Sequence, residues 1–342
     1  MRALVKAERT AGLWLQEVSD PVPADDEVLI RIRKTGIGDT ELRIWNWGDW
    51  AQHTIRVPLV IGREYAGEIV QVGRNVRYLR TGMRVSGQGS SSDCNASAVR
   101  TGRVHACADS GVVGITRSGA FAEYLSLPAL GVIELPDEVD DELGAILDPL
   151  GNATHVALSF DLIGEDVLIT GAGPIGIMAA TIARHVGARN IVMSDVNATR
   201  LALAREVADV VTVDPSTASL ADVMQQLRII DGFAVGFEMS GNTAAMQQLV
   251  GSMAMGGRIA SVGLPAEKFN VDWRRIVRKG LVIKGIYGRD MLETRRKMLN
   301  LLSEGLDVRG IITHRLAADN YKEGFSALQS GNAGKVVLTW AD

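Results

Sequence analysis

The stretch DVLITGAGPIGIMAA, residues 166–180, predicts the fold of the second half of the chain. Asp166–Thr170 has the composition of a short buried strand, and a G-x-G-x-x-G pattern then opens a helix that we expect to run to about Val186. Gly171 makes the tight turn, Gly173 lets the backbone approach a pyrophosphate, and Gly176 lets the helix pack closely on the strand. The stretch therefore predicts a dinucleotide-binding loop. A domain of the same fold that binds no nucleotide is the alternative.

The first turn of this helix is the expected phosphate site. Pro174 and Ile175 stand there, between the second and the third glycine of the pattern. A helix start offers free N–H groups and the positive end of the helix dipole, and both attract phosphate oxygens.

An acidic residue after the next strand indicates which dinucleotide is bound. Asp195 follows the predicted strand 190–194, where a carboxylate can hold the hydroxyls of the adenosine ribose. The same negative charge repels a 2′-phosphate, so we predict NAD as the cofactor. Arg200 is the competing signal, because an arginine could accept a 2′-phosphate of NADP; it could also be a solvated helix residue.

Strands and helices alternate through the rest of this half, which predicts a doubly wound parallel sheet of the Rossmann type. After the strand 190–194 we expect a helix at 197–207, strands at 209–213 and 233–239, a helix at 243–253, and strands at 258–262 and 281–286. Further cofactor contacts are predicted at Val262, Gly263, Leu264, Ile286 and Tyr287.

The first half of the chain has a different pattern. Segments such as 27–33 and 67–73 alternate with a period of two between glycine and proline turns, which indicates an antiparallel or barrel-like β domain. We place this domain at residues 1–147 and the Rossmann domain at 148–288. The tail 289–342, with a helix at 291–303 and a strand at 335–340, is predicted to return to the β domain. Residues 86–119, rich in Ser, Ala and Gly, are predicted to form a long surface lobe.

Composition narrows the function. A chain of 342 residues with 46% hydrophobic and 22% charged residues is typical of a globular protein with two domains. The net charge of −4 argues against nucleic acid as a partner. We predict a cytoplasmic protein that binds no membrane, because the cysteines number only 2, no segment resembles a signal peptide and no apolar run reaches the length of a membrane span.

Several stretches resemble the medium-chain dehydrogenase/reductase superfamily, and within it the L-threonine 3-dehydrogenase branch. They are RKTGIGDTELRIWNW (33–47), GREYAGEIV (62–70), FAEYL (121–125), the segment 148–180, EMSG (238–241), KGLVIKGIYGR (279–289) and IITHR (311–315). The resemblance covers nearly the whole chain. It implies a GroES-like catalytic domain beside the Rossmann domain, an NAD-dependent oxidoreductase acting on a small molecule, and a homodimer or homotetramer.

The resemblance breaks at the metal sites. Zinc-dependent members hold a catalytic zinc with a Cys, a His and a Glu beside another acid, and those positions here are Gly38, Arg63, Glu64 and Asp148. Glycine has no ligand atom and a guanidinium has no free lone pair, so we predict no catalytic zinc. The positions of the four structural-zinc cysteines are Asp93, Ala96, Val99 and Cys107, with Cys94 one place out of register. We therefore predict no structural zinc.

The resemblance also implies which groups remain for catalysis. Thr40 stands at the position of the family's proton-relay threonine, although it could be a plain turn hydroxyl, and Arg43 stands where the relay histidine would be. Arg43 cannot act as a base but could contact the pyrophosphate of the cofactor. For Arg63 three roles stay open: stabilising an oxyanion, binding a substrate carboxylate, or neutralising Glu64 and Asp148 as a structural plug.

Three functions follow. The first is a zinc-independent NAD(H) oxidoreductase that resembles threonine dehydrogenase and transfers a hydride to or from a small polar substrate, which could derive from an amino acid. The second is a metal-free reductase of a conjugated C=C bond or a C=N bond. The third is a catalytically retired protein that still binds NAD.

Overall fold

The computed structural model describes residues 1–87, 111–265, 268, 270–287 and 291–341. The chain divides into two compact units, the first made of Met1–Pro149 with Ile312–Asp342 and the second of Leu150–Ile311. Most of the predicted lobe, including all the residues at the structural-zinc positions, lies outside the described residues.

The first unit is rich in β-structure. Its strands are β1 (Arg2–Lys6), β2 (Trp14–Glu17), β3 (Glu27–Ile37), β4 (Leu59–Val60), β5 (Glu64–Val72), β6 (Arg84–Gly87), β7 (Tyr124–Pro128), β8 (Val132–Glu134), β15 (Ile312–Ala317) and β16 (Lys335–Thr339), with β9 to β14 in the second unit. Its helices are α1 (Asp39–Asn46), α2 (Asp49–Thr54), α3 (Asp141–Ala145) and α11 (Tyr321–Gln329), and α4 (Leu147–Ala157) begins here and continues into the second unit.

A seven-stranded sheet organises this unit. Its order is β15-β16-β3-β5-β6-β8, and β7 also pairs with β3. The predicted alternation is visible on β3, where Val28, Ile30 and Ile32 are fully buried and face the core. This unit also has a smaller sheet of order β2-β1-β4. Because β16 pairs antiparallel with the end of β3, residues from the two ends of the sequence meet there.

The second unit alternates strands and helices. Its strands are β9 (Asp166–Thr170), β10 (Asn190–Ser194), β11 (Val211–Val213), β12 (Phe233–Glu238), β13 (Met253–Ser261) and β14 (Val282–Gly285). Its helices are α5 (Pro174–His185), α6 (Ala198–Ala208), α7 (Leu220–Gln226), α8 (Thr243–Ser252), α9 (Trp273–Lys279) and α10 (Met291–Ser303). In the described part of the chain, no helix combines the length and apolar character that crossing a bilayer requires.

All six strands of this unit form one parallel sheet of order β11-β10-β9-β12-β13-β14. Counted within the unit, that order is 3-2-1-4-5-6, the order of a Rossmann dinucleotide-binding fold. The predicted fold class, a GroES-like β-rich domain with a doubly wound parallel sheet, is confirmed.

The structure differs from the predicted boundary of the tail. Residues 291–311 belong to the second unit and not to the tail that we predicted to begin at 289. The helix α10 buries Met298 and Leu302 in this unit, and the ring Nδ1 of His155 lies 3.1 Å from the hydroxyl of Thr294 on α10. The first unit resumes only at Ile312. A pattern of hydrophobic residues predicts that a helix is amphipathic but not which domain it packs against.

Candidate active site

The predicted dinucleotide loop lies between β9 and α5 in the second unit. Gly171 has a φ of +100°, a backbone conformation that strongly favours glycine. A Cβ at Gly176 would overlap the carbonyl oxygen of Gly171, so only glycine fits there without movement. Gly173 is different, because a Cβ at this position would meet nothing within 4 Å. The open space beside Gly173, the N-cap of α5, is where a pyrophosphate could approach the backbone.

Asp195 lies against this loop at the end of β10. Its carboxylate accepts hydrogen bonds from the backbone N–H of Ala172, at 2.7 Å, and from that of Asn197, at 2.9 Å. The negative charge is therefore held at the start of the dinucleotide loop. Arg200 follows in the first turn of α6, and its Nε is buried without a hydrogen-bond partner in the described part of the chain.

The remaining predicted cofactor residues follow β13 and β14. The N–H groups of Val262 and Gly263 donate to the carbonyl of Glu238, at 2.9 and 3.1 Å, whereas Leu264 and Tyr287 are exposed. The backbone of Ile286 donates to the carbonyl of Ser261, at 2.8 Å.

Sequence reasoning missed Glu238, the last residue of β12. Its buried carboxylate accepts from the backbone N–H of Ser240 and of Gly241, both at 2.9 Å, and thereby fixes the turn after the strand. The sequence contains a pattern that could have pointed to it: an acidic residue ends an apolar strand just before a Ser-Gly turn. Because a buried carboxylate is costly unless it is hydrogen-bonded, such an acid indicates a turn that it organises.

In the first unit, the fold brings together three of the predicted catalytic residues. The guanidinium of Arg63 lies 3.4 Å from the hydroxyl of Thr40 and 3.4 Å from a carboxylate oxygen of Asp148. Thr40 stands in the first turn of α1, and Asp148 stands in the first turn of α4. The side chain of Asp148 is 9% exposed and that of Arg63 is 26% exposed, so the cation can still reach a small ligand.

Glu64, the acid next to Arg63 in the sequence, has a different cation as its partner. One of the three roles left open for Arg63 was to neutralise both Glu64 and Asp148, but the carboxylate of Glu64 is paired with Lys335 of β16. Glu64 begins β5, whereas Arg63 precedes that strand. The structure thus pairs Arg63 with Asp148 and Glu64 with Lys335.

Arg43, the other predicted catalytic residue, is exposed on α1. Its guanidinium lies over the ring of Trp50, 4.9 Å from the ring centroid, in a cation–π contact. Its predicted contact with the cofactor pyrophosphate stays a prediction.

Burial perturbs the acids of the first unit. Burial raises the pKa of Glu64 to about 7, although the Lys335 ammonium opposes this effect. Burial also raises the pKa of Glu41, an acid on α1 that sequence reasoning missed. One oxygen of Glu41 accepts from the backbone N–H of Gly38 at 3.0 Å, and the other has no hydrogen-bond partner among the described residues.

The donors at this place do not fit a catalytic zinc. Gly38 contributes no ligand atom, Arg63 is a permanent cation, and Glu64 is engaged by Lys335. A Cβ at Gly38 would lie 2.6 Å from an oxygen of Glu64 and 2.9 Å from an oxygen of Glu41, so carboxylates fill the space beside this glycine. Among the described residues, no group of three or more His, Cys, Asp and Glu side chains is arranged to hold a metal ion.

Comparisons with known proteins agree with this architecture. The family model of the alcohol dehydrogenase GroES-like domain matches residues 24–137, and that of the zinc-binding dehydrogenases matches residues 174–304. The chain is 52% identical to an L-threonine 3-dehydrogenase of Ruegeria pomeroyi over 99% of its own length and 100% of that protein.

Solved structures show the same fold. A short chain alcohol dehydrogenase from Escherichia coli, complexed with NADH, superposes with a TM-score of 0.89 at 24% identity and covers 99% of both chains. A chain assigned as a zinc-binding dehydrogenase from Sinorhizobium meliloti, bound to NADP, superposes with a TM-score of 0.88 at 26% identity, covering 99% of this chain and 98% of that one.

Proposed function

This chain belongs to the medium-chain dehydrogenase/reductase superfamily, and from that membership we propose that it is an NAD(H)-dependent oxidoreductase that works without a catalytic zinc. Its substrate is a small polar molecule with a secondary hydroxyl or the matching ketone, of the class of the β-hydroxy amino acids. The proposal for the substrate rests on the relationship to L-threonine 3-dehydrogenases.

One observation carries the zinc-independent part of the proposal. The guanidinium of Arg63, which stands at the position of a zinc ligand in zinc-dependent members, contacts Thr40 and Asp148 and remains partly exposed. A zinc ion in such a site polarises the reacting oxygen. A preorganised guanidinium can stabilise the same developing oxyanion.

In the oxidative direction, the residues of this chain handle the oxygen and its proton. The substrate hydroxyl donates a hydrogen bond to the Thr40 oxygen; as its proton passes to that oxygen, the Thr40 hydroxyl releases its own proton to solvent water. Arg63 donates to the alkoxide that forms, and Asp148 holds the guanidinium in place. A bound NAD would supply the hydride acceptor for the carbon of the same C–O group, which would leave a carbonyl. In reduction the same atoms move in reverse.

Asp195 supports NAD over NADP. Its carboxylate is held beside the dinucleotide loop by two backbone N–H groups, so a 2′-phosphate would meet a fixed negative charge. Arg200, five positions later, is the residue that would favour NADP if its guanidinium turned to the same place.

The test is turnover by protein freed of metal. The protein is dialysed against a strong chelator, its metal content is measured, and NADH formation is followed with L-threonine and other β-hydroxy acids. We expect well under one zinc per chain and undiminished turnover after chelation. A stoichiometric zinc whose removal abolishes turnover would contradict the zinc-independent proposal.

The same assay run in reverse separates the alternatives. NADH consumption is measured with β-keto acids, enones and imines. Consumption by enones alone would favour a C=C reductase, whose enolate oxygen Arg63 could also stabilise, and consumption by imines alone a C=N reductase. NADH binding without any turnover would favour a retired enzyme.

We also propose that the protein is a cytoplasmic homodimer or homotetramer. The strand β14 ends its sheet in the described part of the chain, and the side chains of Val282 and Ile283 on it are 52% and 37% exposed. An exposed strand edge with apolar side chains needs covering, and a second copy can cover it. Light scattering at micromolar concentration should give a dimer or a tetramer; a clean monomer would contradict this.

A further inference from the structure

The acid next to Arg63 in the sequence has a cation of its own. The ammonium of Lys335 lies 2.8 and 2.7 Å from the two carboxylate oxygens of Glu64 and also donates to the carbonyl of Ile37, at 2.8 Å. Both side chains are buried, with 4% of Lys335 and 7% of Glu64 exposed. The ion pair joins the start of β5 to the start of β16.

Two glycines make room for the carboxylate of this pair. Gly36 lies opposite Glu64 in the pairing of β3 with β5, and a Cβ on Gly36 would overlap a carboxylate oxygen of Glu64. A Cβ on Gly38 would lie 2.6 Å from the other oxygen. Protein interiors do not tolerate such overlaps without movement, so the placement of Glu64 depends on glycine at both positions.

The charges around this pair are unequal. Three buried acids, Glu41, Glu64 and Asp148, stand beside two cations, the buried Lys335 and the partly exposed Arg63. Removing one partner of a buried ion pair leaves a charge that the surroundings must compensate. If Lys335 were neutral, Arg63 would be the cation of the cluster left to compensate both Glu64 and Asp148, and its guanidinium would be drawn from Thr40.

We propose that Lys335 is a positioning residue for the oxyanion site: by pairing with Glu64 it keeps the guanidinium of Arg63 beside Thr40. In this arrangement the acid that would be a zinc ligand in relatives is neutralised by a lysine, and the positive pole of the site is the arginine. The inference rests on the proposed oxidoreductase function, and it adds to it a residue that touches neither substrate nor cofactor.

A double-mutant cycle tests the proposal, with the wild type, Lys335→Met, Glu64→Gln and the double variant compared from about pH 7 to 10. Burial raises the pKa of Glu64 to about 7 even with the Lys335 ammonium beside it, and losing that ammonium raises the pKa further, so the effect of Lys335→Met should grow as the pH rises and the Glu64 carboxylate ionises. We expect Lys335→Met to lower kcat by tenfold or more with little change in the KM for NAD. The double variant should recover most of that loss, because no uncompensated carboxylate is left to attract Arg63. Lys335→Arg, which keeps the charge, should fall between wild type and Lys335→Met.

A second measurement does not need turnover. Phenylglyoxal modifies accessible arginines, and peptide mass spectrometry gives the rate for Arg63 in each protein. We expect slower modification of Arg63 in Lys335→Met and a restored rate in the double variant. Arg74, which is 79% exposed, is the matched control and should react equally in all four proteins.

Two results would overturn the proposal: wild-type kcat in Lys335→Met, or a double variant as slow as Lys335→Met. A variant that merely loses stability would show a lower melting temperature without the recovery. If the wild type turns over none of the substrates tested, the proposed function fails. The rates at which phenylglyoxal modifies Arg63 then decide by themselves whether Lys335 positions Arg63. Equal rates in wild type and Lys335→Met would then overturn the role of Lys335.

Discussion

The dinucleotide loop of the second unit and the residue cluster around Arg63 in the first unit fit the family resemblance to different degrees. The loop keeps a glycine at each position where the backbone requires one, and Gly171 and Gly176 meet those requirements in the structure. In the cluster, the resemblance to zinc-dependent members places two of the zinc-ligand positions at Gly38 and Arg63, neither of which has a side chain that can bind zinc.

This difference has a physical reason. A phosphate site at a helix start is built from backbone N–H groups, which any residue except proline supplies, so the constraint falls on space and dihedral angles. A metal site is built from particular side-chain atoms, and each substitution removes a ligand outright. The first kind of site survives changes of side chain around it, whereas the second must be rebuilt with other chemistry. We propose that Arg63, Lys335 and Glu64 form such a rebuilt site.

The largest expected effect concerns Arg63. If its guanidinium replaces the metal as the positive pole, Arg63→Ala should lower kcat by roughly 10²–10³, the usual cost of losing one oxyanion donor. Arg63→Lys keeps the charge without the planar fork and should be intermediate. Steady-state kinetics and thermal unfolding are measured on the same samples.

The opposite result would also be informative. Unchanged turnover together with a large fall in melting temperature would mean that Arg63 only compensates Asp148. The dinucleotide loop would then still be a cofactor site, whereas the cluster around Arg63 would have no catalytic cation.

The loop makes a paired prediction. Gly176→Ala should destabilise the protein by about 1–3 kcal/mol, because its Cβ would overlap the Gly171 carbonyl. Gly173→Ala should leave the melting temperature unchanged, since its Cβ meets nothing within 4 Å, but should weaken NADH binding by filling the space of the pyrophosphate. Thermal unfolding and fluorescence titration with NADH measure the two effects. Unaltered NADH affinity in Gly173→Ala would show that the cofactor does not use that space.

The sequence predicted the loop better than the cluster, for the same reason that separates the two sites. The glycine spacing is local, so the turn, the helix start and Asp195 could be placed from some thirty consecutive residues. The ion pair of Glu64 with Lys335 joins residues 271 positions apart, and no local pattern marks it. For the adjacent residues Arg63 and Glu64, the sequence left a mutual ion pair as one of three open roles for Arg63 and did not indicate Lys335. Such contacts depend on which strands are neighbours in the sheet. The strands β3 and β16 are neighbours there, although the whole second unit separates them in the sequence.

A smaller effect concerns the choice of dinucleotide. The wild type should bind NADH at least about tenfold more tightly than NADPH, a difference of roughly 1.4 kcal/mol. Asp195→Ala should narrow the gap. Asp195→Asn is the matched control, because it removes the charge but keeps an acceptor for the N–H of Ala172 or Asn197. Equal affinities for the two cofactors in the wild type would contradict the role of Asp195.

The smallest expected effect is the pH dependence of stability that the buried acids impose. Burial raises the pKa of Glu64 from 4.5 to about 7, so the folded state favours the protonated acid. The stability that this contributes is fully present below pH 4.5 and is lost as the pH rises through about 7. Glu41 acts in the same direction. Lys6, whose burial lowers its pKa to about 8, acts in a different pH range: the stability that it contributes to the folded protein is present at high pH and is lost as the pH falls through 8.

Between about pH 5.5 and 7.5 the melting temperature of the protein should therefore fall. Glu64→Gln should flatten that fall by a few degrees, while the same change at exposed Glu134 should not. An equal slope in Glu64→Gln and wild type would mean that Lys335 keeps Glu64 ionised throughout this range, and the cluster would then be a fixed ion pair with no titrating member.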